Sequence, residues 1–206
     1  MTTLLLTRHG HVEGINPERF RGRAELPLTE LGVHQAQAVA RRIAATWQPA
    51  AIYTSPMSRC IATGQEIARV CGADTTVLEE LNDLDYGDWQ GQTHEEVRVH
   101  SPDSFDLWHR APHLHRFPGG ESLQDLVARI AEALRFALRR HSSDTVVFVG
   151  HNSGNRALLL TLLDQSLSAY WRLAQDPCCI NEAEIIDGRI KVLRVNETAH
   201  LPPYFA

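Results

Sequence analysis

"LLLTRHG", residues 4–10, sets three leucines directly before an arginine, a histidine and a glycine. The leucines make a strand fit for burial, whereas the pair after them carries charge and hydrogen-bonding capacity that resist it. The same juxtaposition returns in "VVFVGHNSGNR", residues 146–156, where a second apolar strand ends in a histidine and opens a helix. A third run, "AIYTSPMSR" (51–59), ends in a turn that leads Arg59 into the first turn of a helix. In open α/β sheets, ligands gather beyond the carboxyl ends of the strands. If the three strands are neighbours, Arg8, His9, Arg59 and His151 face one crevice.

Outward from this segment, short β-type runs alternate with longer helical patterns, the sequence form of an α/β domain. Strands are expected at 3–7, 51–54, 75–78 and 145–149, with a terminal pair at 183–186 and 190–195 joined by Asp187-Gly188, a hairpin dipeptide. Helical periodicity runs from 31 to 47, again after "TSP" with Pro56 in a first turn, after Ser122 with Asp125 as a capping box, and from near Ser153. The expected architecture is a three-layer α/β sandwich: a mostly parallel central sheet, one antiparallel edge, and helices on both faces. One domain is expected over 1–206. Within it, residues 92–121, which hold Pro102, Pro112, Pro118 and Gly119-Gly120, read as an irregular insert of short helices and loops over the ligand end, a place for substrate selection.

The composition narrows the partners. A formal net charge of −5 over 206 residues gives no electrostatic reason to bind nucleic acid or an anionic membrane. No apolar stretch approaches the roughly 18 residues of a membrane span, and the run at Leu4–Leu6 is too short for a signal peptide, so a cytoplasmic protein is expected. The four cysteines, Cys60, Cys71, Cys178 and Cys179, lack zinc spacing and are expected as reduced thiols. The oligomeric state stays open, a homo-oligomer included.

Two guanidiniums, two imidazoles and the backbone N–H groups of helix starts suit an anion with several oxygens, and phosphate is the natural choice. Arginines around a histidine disfavour its protonation, and the neutral imidazole is a nucleophile that can attack phosphorus. Each residue alone has an ordinary structural role available to it. Four of them at one end of three strands make the case for a site.

With these motifs in view the chain resembles the histidine phosphatase superfamily, which includes the cofactor-dependent phosphoglycerate mutases, and within it the small bacterial phosphatases. "RHG" (8–10) resembles the family signature. "RGRAELPLTELGVHQA" (21–36), "TSPMSRCIATG" (54–64), "LNDLDYGDWQG" (81–91), "PGGES" (118–122) and "VGHNSGNRALL" (149–159) resemble the later blocks in the family's order. The resemblance implies His9 as the nucleophile that becomes phosphohistidine, with Arg8, Arg59 and His151 holding the phosphoryl oxygens. It implies no metal and no cofactor. The family's acid, usually Glu, falls by position on Asp83, with Glu80 and Asp85 as neighbouring alternatives.

The sequence departs from the family pattern at the pocket entrance, with His11-Val12 for Glu-Thr, and Ile15 where an asparagine is common, Asn16 being one place out of step. Asn152-Ser153 stands for Gly-Gly. Asn152 is a candidate phosphate ligand, but capping of the following helix is the favoured reading of this pair. For Arg156, an internal salt bridge and a ligand contact stand side by side. "SLSAYWRLAQDPCCINEAEI" (166–185) resembles a segment of the small phosphatases, and its apolar residues are expected to pack the last strands and not to touch ligand.

The implied reaction is hydrolysis of a small-molecule phosphomonoester in two displacements at phosphorus. The runner-up is a phosphoglycerate mutase, disfavoured because the segment after the aromatic-glycine block is shorter than the basic insert of mutases. A third reading is a phosphate-ester binding module without turnover. A metal site on "HRAPHLH" (109–115) is set aside because Pro112 breaks the helix that would align His109 with His113.

Overall fold

The computed structural model describes residues 1–15 and 18–201, so Asn16 lies outside the described residues. Six strands form one sheet: β1 (Thr2–Arg8), β2 (Pro49–Thr54), β3 (Thr75–Val77), β4 (Thr145–Gly150), β5 (Ile180–Ile186) and β6 (Arg189–Glu197), in the order β3-β2-β4-β1-β5-β6. β1, β2, β3 and β4 pair in parallel, while β5 runs antiparallel to both β1 and β6. This is the expected sheet. Asp187 and Gly188 both take positive φ, 49° and 79°, the pair of left-handed conformations that a two-residue hairpin turn requires.

The apolar run at the head of the chain is explained by the layers. Leu4 and Leu6 point to the face covered by α5 (Leu123–Arg140) and α6 (Asn152–Leu162), together with Tyr53, Val146 and Phe148. Leu5 points the other way, with Ile52, Val147 and Val149, onto α1 (Glu30–Thr46) and α2 (Ser58–Cys71). A strand buried on both faces has no polar alternation to show. The stripes of the helices match. Val39, Ala40 and Ile43 of α1 and Leu123, Leu126 and Ile130 of α5 are almost wholly buried, and Ser122 with Asp125 closes the capping box at the head of α5.

Three expectations shift by a few residues. α2 begins at Ser58 with Met57 as its N-cap, so Pro56 precedes the helix instead of standing in its first turn. β5 begins at Ile180, three residues before the apolar run, because the buried Asn181 and Glu182 find partners: Asn181 donates to the Leu6 carbonyl at 3.0 Å and Glu182 accepts from the Trp47 indole at 2.9 Å. α6 begins at Asn152. Residues 92–121 form two short helices, α3 (His94–His100) and α4 (Pro102–Arg110), then a 3-10 turn at Pro112–Leu114.

Candidate active site

The carboxyl ends of β1, β2 and β4 meet. Arg8 pairs with Gly150 across the two central strands, the His9 N–H donates to the Gly150 carbonyl at 3.0 Å, and the Ser55 N–H donates to the Val149 carbonyl at 3.0 Å. Gly10 turns the chain away. A Cβ on Gly10 would strike the Gly32 carbonyl, so the loop after β1 rests directly on the first turn of α1. The Gly10 N–H also donates to the Thr63 hydroxyl of α2 at 3.2 Å.

His9 is 2% exposed. Its Nδ1 donates to the Gly10 carbonyl at 2.7 Å, and that commitment fixes the ring and leaves Nε2 with the lone pair. His151 lies beside it, ring centroids 5.3 Å apart and edge to face. Burial lowers the pKa of His9 well below the ordinary imidazole value, with His151, Arg59 and Arg8 adding to the effect against the Gly10 hydrogen bond. Burial likewise lowers His151, helped by Arg59 and Arg129. Both imidazoles are neutral at neutral pH.

Arg8 and Arg59 are buried guanidiniums with different neighbours. Arg8 donates to the Gln175 carbonyl at 2.7 Å, its Nε has no partner among the described residues, and burial followed by the charge of Arg21 pushes it down to about 10. Arg59 is wholly buried and heavily committed, to the Ala24 and Gly22 carbonyls at 2.8 and 2.7 Å and to Asp83 Oδ2 at 3.2 Å. His151 spends both ring nitrogens: Nε2 lies 2.8 Å from the Ser55 hydroxyl, and Nδ1 lies 3.3 Å from Asp83 Oδ2.

Asp83 is the carboxylate that reaches this cluster. Its Oδ1 accepts from the Leu84 N–H at 2.9 Å and from the Ser153 hydroxyl at 2.5 Å. The alternatives point elsewhere. Asp85 pairs with Arg23 at 3.3 Å and accepts from the Gly87 N–H at 2.9 Å, and Glu80 contributes its carbonyl to Arg129. Arg129 of α5 holds the loop that carries the acid, donating to the carbonyls of Glu80, Asn82 and Asp83 at 2.9, 2.7 and 2.8 Å.

The structure corrects the reading of Asn152-Ser153 as a cap. His151 occupies the N-cap position of α6 with no side-chain capping bond. Asn152 lines the pocket with a buried Oδ1 that has no partner among the described residues, and Ser153 turns to Asp83. Arg156 makes no salt bridge among the described residues: its Nε donates to the Leu173 carbonyl at 2.6 Å and it lines the same pocket. The expectation for residues 166–185 fails at two positions, since Tyr170 and Trp171 stand in the pocket wall with Trp108, Tyr86 and Phe20.

No role for Ser55, Arg21 or this aromatic wall was read from the sequence, and Ser153 was read only as a cap. Ser55 had a signal, because it directly follows β2 at the edge where Arg8 ends β1. The aromatic residues had none, for Trp108 and Tyr170 come together across a long sequence separation, ring centroids 5.4 Å apart. Among the described residues no group of three or more His, Cys, Asp or Glu side chains is placed to hold a metal ion, and no helix is long and apolar enough to cross a membrane.

The site's family follows from comparison. The model of the histidine phosphatase superfamily (branch 1) matches residues 4–198. Phosphoserine phosphatase 1 of Hydrogenobacter thermophilus is 31% identical over 205 residues, covering 100% of this chain and 97% of that protein. The metal-independent phosphoserine phosphatase of Arabidopsis thaliana is 29% identical over 168 residues, covering 81% and 71%. Among solved structures, Bacillus stearothermophilus YhfR superposes with a TM-score of 0.92 at 31% identity, covering 98% of this chain and 100% of that one.

Proposed function

The chain belongs to the histidine phosphatase superfamily, branch 1, and from that premise we propose that it hydrolyses a small phosphomonoester through a phosphohistidine on His9, without a metal. The observation that carries the assignment is the His9 ring, fixed at Nδ1 by the Gly10 carbonyl and surrounded by buried guanidiniums. Its Nε2 lone pair attacks phosphorus while the ester oxygen departs on the opposite side. Charge then spreads over the equatorial oxygens. Arg8 offers them an Nε without a partner among the described residues, and Asn152 stands in the same wall.

Asp83 is the counter-ion of Arg59 in the resting pocket. A bound phosphoryl group takes over that charge, and the carboxyl is then able to carry the proton that the leaving oxygen needs. Ser153 and the Leu84 N–H hold it in place. In the second step the same carboxylate takes a proton from water, which attacks the phosphohistidine and releases phosphate. His151 acts beside His9 as a neutral donor whose tautomer is set by Ser55 and Asp83, and it must exchange one of these partners to touch a phosphoryl oxygen.

Hydrolysis is favoured over mutase transfer because residues 92–121 contribute only His94 and Trp108 to the pocket wall, and no lysine or arginine. These residues are the part of one catalytic domain that selects the substrate, in a cytoplasmic enzyme acting on a free small molecule. A phosphate-release screen over a panel of phosphomonoesters, with chelator present, tests it. Release from a subset of substrates, abolished in His9→Ala, is expected. No release from any, or full activity in His9→Ala, overturns it.

A further inference from the structure

The two buried guanidiniums of the site are held in different ways. Arg59 is fixed by two carbonyls and a carboxylate, whereas the Arg8 guanidinium makes one hydrogen bond to a described residue, from Nη1 to the Gln175 carbonyl at 2.7 Å. Where Arg8 points therefore depends on where that carbonyl lies. The carbonyl belongs to residues 173–179, which have neither helix nor strand structure of their own between the 3-10 turn at Leu167–Arg172 and β5. A segment of this kind holds its place only through its side chains and their partners.

Those partners are buried amides. Gln175 is 2% exposed, and its side chain is gripped at both ends. Its Nε2 donates to the Ala174 carbonyl at 2.7 Å and to Asn181 Oδ1 at 2.8 Å, while its Oε1 accepts from Asn181 Nδ2 at 2.9 Å and from Asn155 Nδ2 at 3.1 Å. Asn181 reaches on to the Leu6 carbonyl of β1 at 3.0 Å and accepts from the Asn196 N–H of β6 at 2.8 Å. Asn155 stands on α6, the helix that carries Asn152 and Ser153. The same segment also holds the backbone of Arg8, because the Cys178 N–H donates to the Arg8 carbonyl at 3.0 Å. Cys178 takes a φ of 55° to do so, a conformation that a residue other than glycine keeps only where its surroundings fix it. Burying three amides costs free energy that apolar side chains of the same volume would not, and a satisfied network fixes a single geometry in return.

We propose that Gln175, with Asn155 and Asn181, is the positioning group for Arg8: the amide network fixes the Gln175 carbonyl, and the carbonyl aims the guanidinium at the phosphoryl group held at His9. The proposal rests on the reading of this pocket as the phosphomonoesterase site. None of the three amides touches a reacting atom. Loss of the network acts through Arg8, and so on the phosphoryl group and not on the leaving group.

A double-variant cycle tests this. Gln175→Met keeps the length of the side chain and removes both ends of its amide. Its kcat/KM is expected to fall by about 10- to 100-fold, the range for a displaced catalytic group. The fall should be the same on an alkyl phosphate and on p-nitrophenyl phosphate, with weaker inhibition by vanadate. In the Arg8→Ala background the same substitution should cost less than about 2-fold, because the guanidinium that it aims is gone. Asn155→Ala removes one donor to Gln175 and leaves the pair with Asn181, so a smaller loss of about 2- to 5-fold is expected, again only where Arg8 is present. If Gln175→Met does not fold, judged by its melting curve, the cycle is read on Asn155→Ala. A wild-type rate in the variant, or an equal loss with and without Arg8, overturns the proposal and leaves the phosphatase standing. If the wild type turns over no ester, the function reading fails by itself; vanadate affinity, measured by calorimetry on the same four proteins, must then show the same dependence on Arg8, and an equal loss in both backgrounds overturns the positioning role.

Discussion

Asp83 competes with Glu80 and Asp85 in the sequence, because three acids within six positions of one loop cannot be separated by spacing. The structure separates them by partner: only Asp83 has both oxygens turned to Arg59, His151 and Ser153. A carboxyl that protonates the leaving group matters most when the departing oxygen is a poor leaving group. Asp83→Asn should therefore lose about 10²-fold or more in kcat on an alkyl phosphate relative to p-nitrophenyl phosphate. Steady-state rates on the two substrates decide it, and an equal loss on both would move the acid elsewhere. Arg8, His9, Arg59 and His151 were legible because each follows or closes a strand with a recognisable apolar run. Ser153 was not, since a serine in a first helical turn reads as a cap until its partner across the pocket is known.

The elements that position these residues are joined at close backbone contacts. Gly32, at the start of α1, lies against the loop after β1, where an added Cβ would strike the His11 carbonyl. Gly32→Ala should push α1 away from the His9 loop and lower unfolding free energy by about 1–3 kcal/mol, the usual cost of overpacking, measured by denaturant titration. Arg129→Met tests the brace from α5 to the acid loop, which has three carbonyls at its disposal only while the guanidinium is there. The expected result is a fall in kcat larger on alkyl than on aryl phosphates, because the misplaced group is Asp83; an equal fall on both would show a general loss of fold. Strands buried on both faces and helices with a continuous apolar stripe could be read directly. β3, though exposed along its whole length, could be read from its β-branched run, whereas Asn181 and Glu182 at the start of β5, polar but buried, could be placed only through their partners.

The whole molecule carries a pH dependence set by its buried histidines. His9 and His151 are held neutral in the fold, and His11, His94, His115 and His200 are shifted down in the same direction, burial being the leading cause in each. The unfolded chain takes up protons as pH falls through about 6.5, while the folded chain does not until lower pH. Stability is thus full above about pH 6.5 and declines below it, by up to about 1.4 kcal/mol per pH unit for each such histidine. Denaturant unfolding between neutral and mildly acid pH should show this slope, and His9→Gln/His151→Gln should show a shallower one. The sheet that buries these imidazoles also brings His9, the proposed phosphoryl acceptor, to the carboxyl ends of β1, β2 and β4. That acceptor is best tested on the intact chain. Rapid quenching during turnover into base, followed by intact mass and peptide analysis, should find one added phosphoryl group, on His9, stable in base and lost in acid. Its absence from an active enzyme, or its presence on any other residue, would contradict the mechanism.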